Sequence, residues 1–258
     1  MTTIRHILFP TNCLSQDIRA FEYALAVARY FEATVEVLHI CEPCLDITVP
    51  GIVRYQLNRE EKKRAQRLLA NWLRTIDLEG VTVLPQVELG YPKETIALYA
   101  NQQARADLLV IGSEDNHSYT KLLRGTIISK TVEQVHSPVL IVPRGIVFQS
   151  IQNMAYVTPV VEDWRPTYPM LQEIAAIFGA RLLVTHLQEV PEATLDPEEQ
   201  LVLEDYGSSL HALIYNANLH LLVTLASVRG TLRKMLQYSK AHKMALETLI
   251  PLLILKKR

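Results

Sequence analysis

Residues 107–143 read DLLVIGSEDNHSYTKLLRGTIISKTVEQVHSPVLIVP, and their pattern decides the fold. Leu108, Leu109, Val110 and Ile111 form an apolar run of strand length that stops at Gly112. A polar loop follows. Gly125-Thr126 then opens a segment in which Ile127, Ile128, Thr131, Val132 and Val135 recur at helical spacing. Ser137-Pro138 stops that helix, and Val139, Leu140, Ile141 and Val142 supply a second continuous apolar strand. Two such strands joined by a helix belong to a parallel sheet covered on both faces. The loop sets Gly112 directly after a strand and Gly125-Thr126 at a helix N-terminus, where free N–H groups and the helix dipole favour an anion.

The residues before this stretch extend the same alternation. A strand is expected over 4–9, ending in Pro10-Thr11-Asn12. Ser15 and Asp17 then stand as caps for a helix whose inner face is Phe21, Ala24, Leu25, Ala28 and Phe31. A second strand over 34–40 leads through Pro50-Gly51 to a helix over 59–76. One face of that helix carries Glu60, Glu61, Lys62 and Lys63, and the other Ala65, Leu68, Leu69, Trp72 and Ile76. The charge run reads as a solvated face. A third strand over 81–87 follows, and Gly90-Tyr91-Pro92 opens a helix that buries Ile96, Ala97, Ala100 and Ala104. Five strands alternating with four helices make an α/β, doubly wound, Rossmann-like or flavodoxin-like domain.

Length and composition frame this reading. The 258 residues suit two small domains better than one. With 26 Lys+Arg against 27 Asp+Glu, the chain lacks the basic footprint of a nucleic-acid binder. No apolar run reaches the length of a membrane span and no secretory leader opens the chain, so a cytoplasmic protein without a membrane partner is expected. Three cysteines are too few and too clustered for a disulfide scaffold.

The rest of the chain is a shortened copy of the first part. Phe31-Glu32-Ala33, Val37 and His39 recur as Phe178-Gly179-Ala180, Val184 and His186 at an offset of 147. Pro138-Val139-Leu140-Ile141 recurs as Pro251-Leu252-Leu253-Ile254 at an offset of 113. The difference, 147 minus 113, leaves 34 residues missing, about one strand and one helix with connections. A four-stranded second sheet without its third strand is therefore expected, with a helix over 197–216 broken or bent at Gly207. Domain bounds of 1–146 and 151–258 follow, joined by a short linker around 145–152. At the offset of 113, Gly112, Asp115, Gly125 and Thr126 become Leu225, Val228, Tyr238 and Ser239, and at the offset of 147 Asn12 falls at about Val160. Bulky side chains there deny phosphate a close approach to backbone, so the second domain is read as nonbinding.

The spacing from Gly112 to Gly125-Thr126 resembles the nucleotide loop of the universal stress protein family, which reads Gly, two residues, Gly, nine residues, Gly, then Ser or Thr. Here Asp115 stands at the middle glycine, and Pro10-Thr11-Asn12 stands where the family usually has Pro-Thr-Asp. The resemblance implies a strand order of 3-2-1-4-5 and ATP, with magnesium, at the switch point. The residues implied to hold the nucleotide are Pro10, Thr11, Asn12, Ile40, Ile111, Gly112, Asp115, Gly125, Thr126 and Ile127. It also implies that tandem members pack their halves as an intramolecular pseudo-dimer through the last strands, here 139–142 with 252–255. A homodimer and further protein partners remain open.

The expected function is a stress-response binding module of the HUP superfamily, with no assigned reaction. A nucleotide-free interaction scaffold is the first alternative, since Asp115 would set a carboxylate against phosphates unless Lys121, Arg124 or Lys130 compensates. Weak ATP hydrolysis is another, though no positioned general base supports it. Thiol redox sensing is a third, because Cys41-Glu42-Pro43-Cys44 is a CxxC after the second strand and Cys13 follows the first. His39 and His186 at equivalent strand positions, and His136 at a helix end, read as packing or capping residues.

Overall fold

The computed structural model of the chain describes residues 4–113, 127–158, 165–186, 214, 217–226 and 250–256. The first half runs β1 (His6–Thr11), α1 (Asp17–Phe31), β2 (Thr34–Cys41), α2 (Gly51–Leu73), β3 (Val83–Leu89), α3 (Pro92–Leu98), β4 (Leu108–Gly112), α4 (Ile127–Gln134) and β5 (Val139–Val142). The second half contributes β6 (Asn153–Thr158), α5 (Tyr168–Phe178), β7 (Arg181–His186), β8 (Leu221–Ala226) and β9 (Leu252–Lys256). These strands lie in a single sheet ordered β3-β2-β1-β4-β5-β9-β8-β6-β7. Pairing is parallel throughout except between β5 and β9, which run antiparallel.

The first half thus has the expected order 3-2-1-4-5. The second repeats it as 2-1-4-5, and among the described residues no strand takes the third position. The helix expected over 197–216 falls almost entirely outside the described residues. Successive strand side chains alternate between two cores. Ile7, Phe9, Val35, Val37 and Val110 face α1 and α2, in a core that continues through Met154, Tyr156 and Leu253. Leu8, Leu38, Leu109 and Ile111 face the opposite side with Ile96, Ala97, Val132 and Val135. Both faces are covered, which is why β4 and β5 read as unbroken apolar runs.

The repeat is legible bond by bond. At the offset of 147, the turn closing α1, Ala33 N–H to Ala28 O at 2.9 Å, recurs after α5 as Ala180 N–H to Ala175 O at 2.8 Å. Glu32 and Gly179 are the left-handed residues of those two turns, at φ of 51° and 65°. At the offset of 113, Leu109 N–H to Pro138 O recurs as Leu222 N–H to Pro251 O.

The two halves meet strand to strand and helix to helix. Val139, Leu140 and Ile141 pair with Ile254, Leu253 and Leu252, as expected of an intramolecular pseudo-dimer. Above that seam, Phe178 of α5 packs its ring against Tyr30 and Phe31 of α1. Phe148, from the connecting segment, packs on Tyr23 and Tyr30. The connection is therefore anchored, with Ile151 fully buried.

One helix departs from expectation. α2 begins at Gly51, eight residues before the expected start, with Pro50 at its N-cap. Its first turns expose Ile52, Val53, Tyr55 and Leu57, and burial begins with Ala65, Leu69 and Trp72. A segment that buries no face shows no apolar period, which is the signal that would have revealed it.

Candidate functional site

β1 and β4 are neighbours, yet the chain winds outward from them in opposite directions. Their ladder registers two pairs, Ile7 with Leu108 and Leu8 with Leu109. Each strand stays registered with its outer neighbour to the end: Thr11 with His39 of β2, and Gly112 with Val142 of β5. Beyond Leu8 and Leu109 the ladder between the two strands stops, at the carboxyl-end switch point where open α/β sheets form their ligand crevice. Pro10, Thr11 and Asn12 form one lip, and Ile111 and Gly112 the other. Ile40 ends the neighbouring β2, and Ile127 is the first residue of α4. Asp115, Gly125 and Thr126 lie outside the described residues.

The turn after β1 folds around a carboxylate of its own. Asp17 Oδ2 accepts from the Thr11 hydroxyl at 2.8 Å, the Asn12 N–H at 3.1 Å and the Leu14 N–H at 3.3 Å. The Cys13 N–H donates to Thr11 Oγ1 at 2.9 Å. Cys13 itself sits at φ 61°, in the left-handed region that costs a residue with a Cβ on the order of 1 kcal/mol or more. Asp17 was expected as a helix cap. It is instead the first residue of α1, behind Gln16, and neutralises the loop's donors as a bound anion would. The Asn12 side chain is exposed at the crevice.

His39 was expected as a packing residue, and its buried ring donates from Nδ1 to the Thr11 carbonyl at 2.9 Å. That bond ties the end of β2 to the lip of the crevice. Sequence inspection missed this tie because it joins residues 28 positions apart. On the other lip, Ser113 N–H donates to Val142 O at 2.9 Å, pinning the chain to β5 as it leaves β4.

Gly112 has a packing reason to be glycine. A Cβ placed there would stand 2.8 Å from the Cβ of Ala20 in the first turn of α1. In the second half the equivalent residue is Leu225, buried on the same side of the sheet. There α5 starts at Tyr168, after a 3-10 turn over Arg165–Thr167, so the helical turn that would crowd Leu225 is replaced. Val160, Val228, Tyr238 and Ser239 lie outside the described residues.

Burial keeps two of the cysteine thiols, those of Cys13 and Cys41, protonated. Burial, with the Asp17 charge adding to it, pushes the Cys13 thiol up to about 12. Burial, then Glu61, raises Cys41. Cys44 is half-buried, and its N–H donates to Asn58 Oδ1 at 2.7 Å; all three thiols are free. Among the described residues, no group of three or more His, Cys, Asp or Glu side chains is arranged to hold a metal ion.

Comparison with known proteins matches this architecture. The profile of the universal stress protein family fits residues 3–143. The chain belongs to the universal stress protein family. A universal stress protein of Methanocaldococcus jannaschii is 23% identical over 141 residues, which cover 54% of this chain and 82% of that relative. Among solved structures, a universal stress protein from Archaeoglobus fulgidus covers 99% of this chain, with 97% of its own length, at a TM-score of 0.70 and 15% identity. A Pseudomonas aeruginosa protein of unknown function covers 99% of the chain, with 93% of its own length, at a TM-score of 0.59 and 14% identity. At such identities the structural likeness speaks for the fold alone, and it spans both halves. Among the described residues, no helix is long and apolar enough to cross a membrane.

Proposed function

We propose that residues 1–146 of this universal stress protein bind an adenine nucleotide as MgATP, and that residues 151–258 form a nonbinding partner domain. The observation that supports this best is that the β1–β4 ladder stops after two registered pairs, at the topological switch point where such sheets bind ligands. Pro10, Thr11 and Asn12 would line one side and Ile111 and Gly112 the other, with Ile40 beside the base. Asp115, Gly125, Thr126 and Ile127 would approach the phosphates, where the N-terminus of α4 offers free N–H groups. The donors after β1 are already engaged by Asp17, so that loop is not the phosphate site. Asn12 brings a neutral amide in place of a carboxylate, so magnesium would arrive held chiefly by the triphosphate. The module is a binding switch in the stress response, in which occupancy alters a partner surface.

A nucleotide-free scaffold is the second reading. It is favoured by the Gly112–Ala20 approach, which accounts for that glycine without any ligand. A MgATP titration of the wild type beside Gly125→Trp and Asp115→Gly separates the two. Saturable wild-type binding that is lost in Gly125→Trp supports the nucleotide module. Absence of wild-type binding overturns it, and gain in Asp115→Gly would then identify a silenced site.

A further inference from the structure

Lys256 ends β9 in the second half, yet its side-chain nitrogen donates to the main-chain carbonyl of Val132 in α4 of the first half. That carbonyl is one the helix leaves unpaired. The N–H four residues on, at His136, donates instead to Asn101 Oδ1 at 2.9 Å. Asn101 Nδ2 donates in turn to the carbonyl of Gln134 at 2.9 Å. Asn101 reaches both groups from the wide π turn Tyr99–Gln103 that follows α3. The carboxyl end of α4 is thus held from two directions, by its own half and across the seam. A cation there also complements the helix dipole.

α4 spans eight residues, about two turns, so it depends on its ends and its buried face more than a long helix does. Its buried face is Ile128, Thr131 and Val132. Burial lowers the Lys256 pKa to about 8 while Glu133 on α4 opposes that shift. In either protonation state the nitrogen keeps a hydrogen to donate.

We infer that the second half is a positioning element for the nucleotide site, and that Lys256 is the residue through which it acts, capping α4 across the β5–β9 seam. Resting as it does on the nucleotide reading, this gives the copy whose Gly112 equivalent is Leu225 a role at its partner's ligand. The helix that starts at Ile127 is fixed at its far end by a residue that only the second half supplies. A helix so held presents its first turn in one place, and binding then loses less free energy to ordering it.

The test is a MgATP titration with hydrogen exchange on the full chain, comparing wild type, Lys256→Met and Lys256→Arg. In Lys256→Met the affinity is expected to fall about five-fold, at the low end of typical couplings between sites. The amides of Val132 to His136 are expected to exchange faster there, while those of β5 and β8 hold. Lys256→Arg, which can donate to the same carbonyl, retains both properties. Lys256→Leu, which has no donor to offer the carbonyl, is expected to behave as Lys256→Met and guards against a failure of the Met variant to fold. Unchanged affinity in Lys256→Met and Lys256→Leu overturns the inference. Faster exchange throughout β5, β8 and β9 also overturns it, in favour of a purely structural role. If the wild type binds no MgATP, the nucleotide reading falls by itself, and exchange then decides: acceleration confined to α4 supports the cross-seam tie, and unchanged exchange overturns it.

Discussion

Gly112 was legible as a glycine, and the structure supplies a second reason for it. The first turn of α1 approaches so closely that a Cβ at 112 would meet Ala20 at 2.8 Å. Gly112→Ala should therefore destabilise the fold by about 1–3 kcal/mol, the usual range for overpacking. Urea denaturation measures that loss, and Ala20→Gly in the same chain should recover most of it. A Gly112→Ala variant of unchanged stability would show that α1 can shift freely. Cys13 allows a test by pH. Its thiol ionises near 9 when unfolded and near 12 when folded, so between those values the folded state holds the proton longer. Its contribution is fully present below pH 9 and is lost as pH rises toward 12. Stability relative to Cys13→Ser should fall across that window, and Cys13 should label slowly with iodoacetamide at pH 8. Rapid labelling would restore thiol chemistry to consideration. What could not be read from the residues was Asp17 in the turn and His39 on Thr11, because hydrogen-bond closure depends on backbone placement that no spacing encodes.

At the scale of elements, sequence legibility followed burial. β4 and β5 were read nearly to the residue because both of their faces are covered, which forces an apolar run. The beginning of α2 was missed because its first turns contact little and carry exposed Ile52 and Tyr55. The same feature predicts its dynamics. Backbone amides over 54–62 should exchange with solvent well before those over 66–73, where Leu69 and Trp72 are buried and Trp72 Nε1 donates to Leu14 O at 3.1 Å. Uniform protection along α2 would mean that something covers its first turns in solution. Within α4, the Asn101 side chain satisfies one N–H and one carbonyl at the helix end. Asn101→Ala should cost about 1–2 kcal/mol, as the loss of a double cap, and should leave α1 and β1 unchanged by exchange.

For the whole molecule, the repeat offsets foretold more than either half did alone. The 34 missing residues correspond to the strand that would stand outermost, beyond β7, and among the described residues no strand takes that place while the central order 2-1-4-5 is kept. The seam strands survived because β5 and β9 each need the other. Val139 and Ile141 are fully buried, with Ile254 and Leu252 beside them in the ladder. Cutting the chain after residue 146 would leave β5 as an open, wholly apolar edge with unpaired N–H and C=O groups. Such an edge pairs with whatever strand is available, and in a solution of fragment 1–146 that strand is β5 of another copy. The fragment should therefore sediment as a dimer or larger species at micromolar concentration. Placing Lys at Leu140, which β9 covers in the full chain, should weaken that association while leaving β1 to β4 folded. A fragment that stays monomeric at high concentration would mean that the first half protects its own edge. The second half would then be held chiefly by the α1–α5 aromatic contacts, and Phe178→Ala should loosen the halves more than any change in β9.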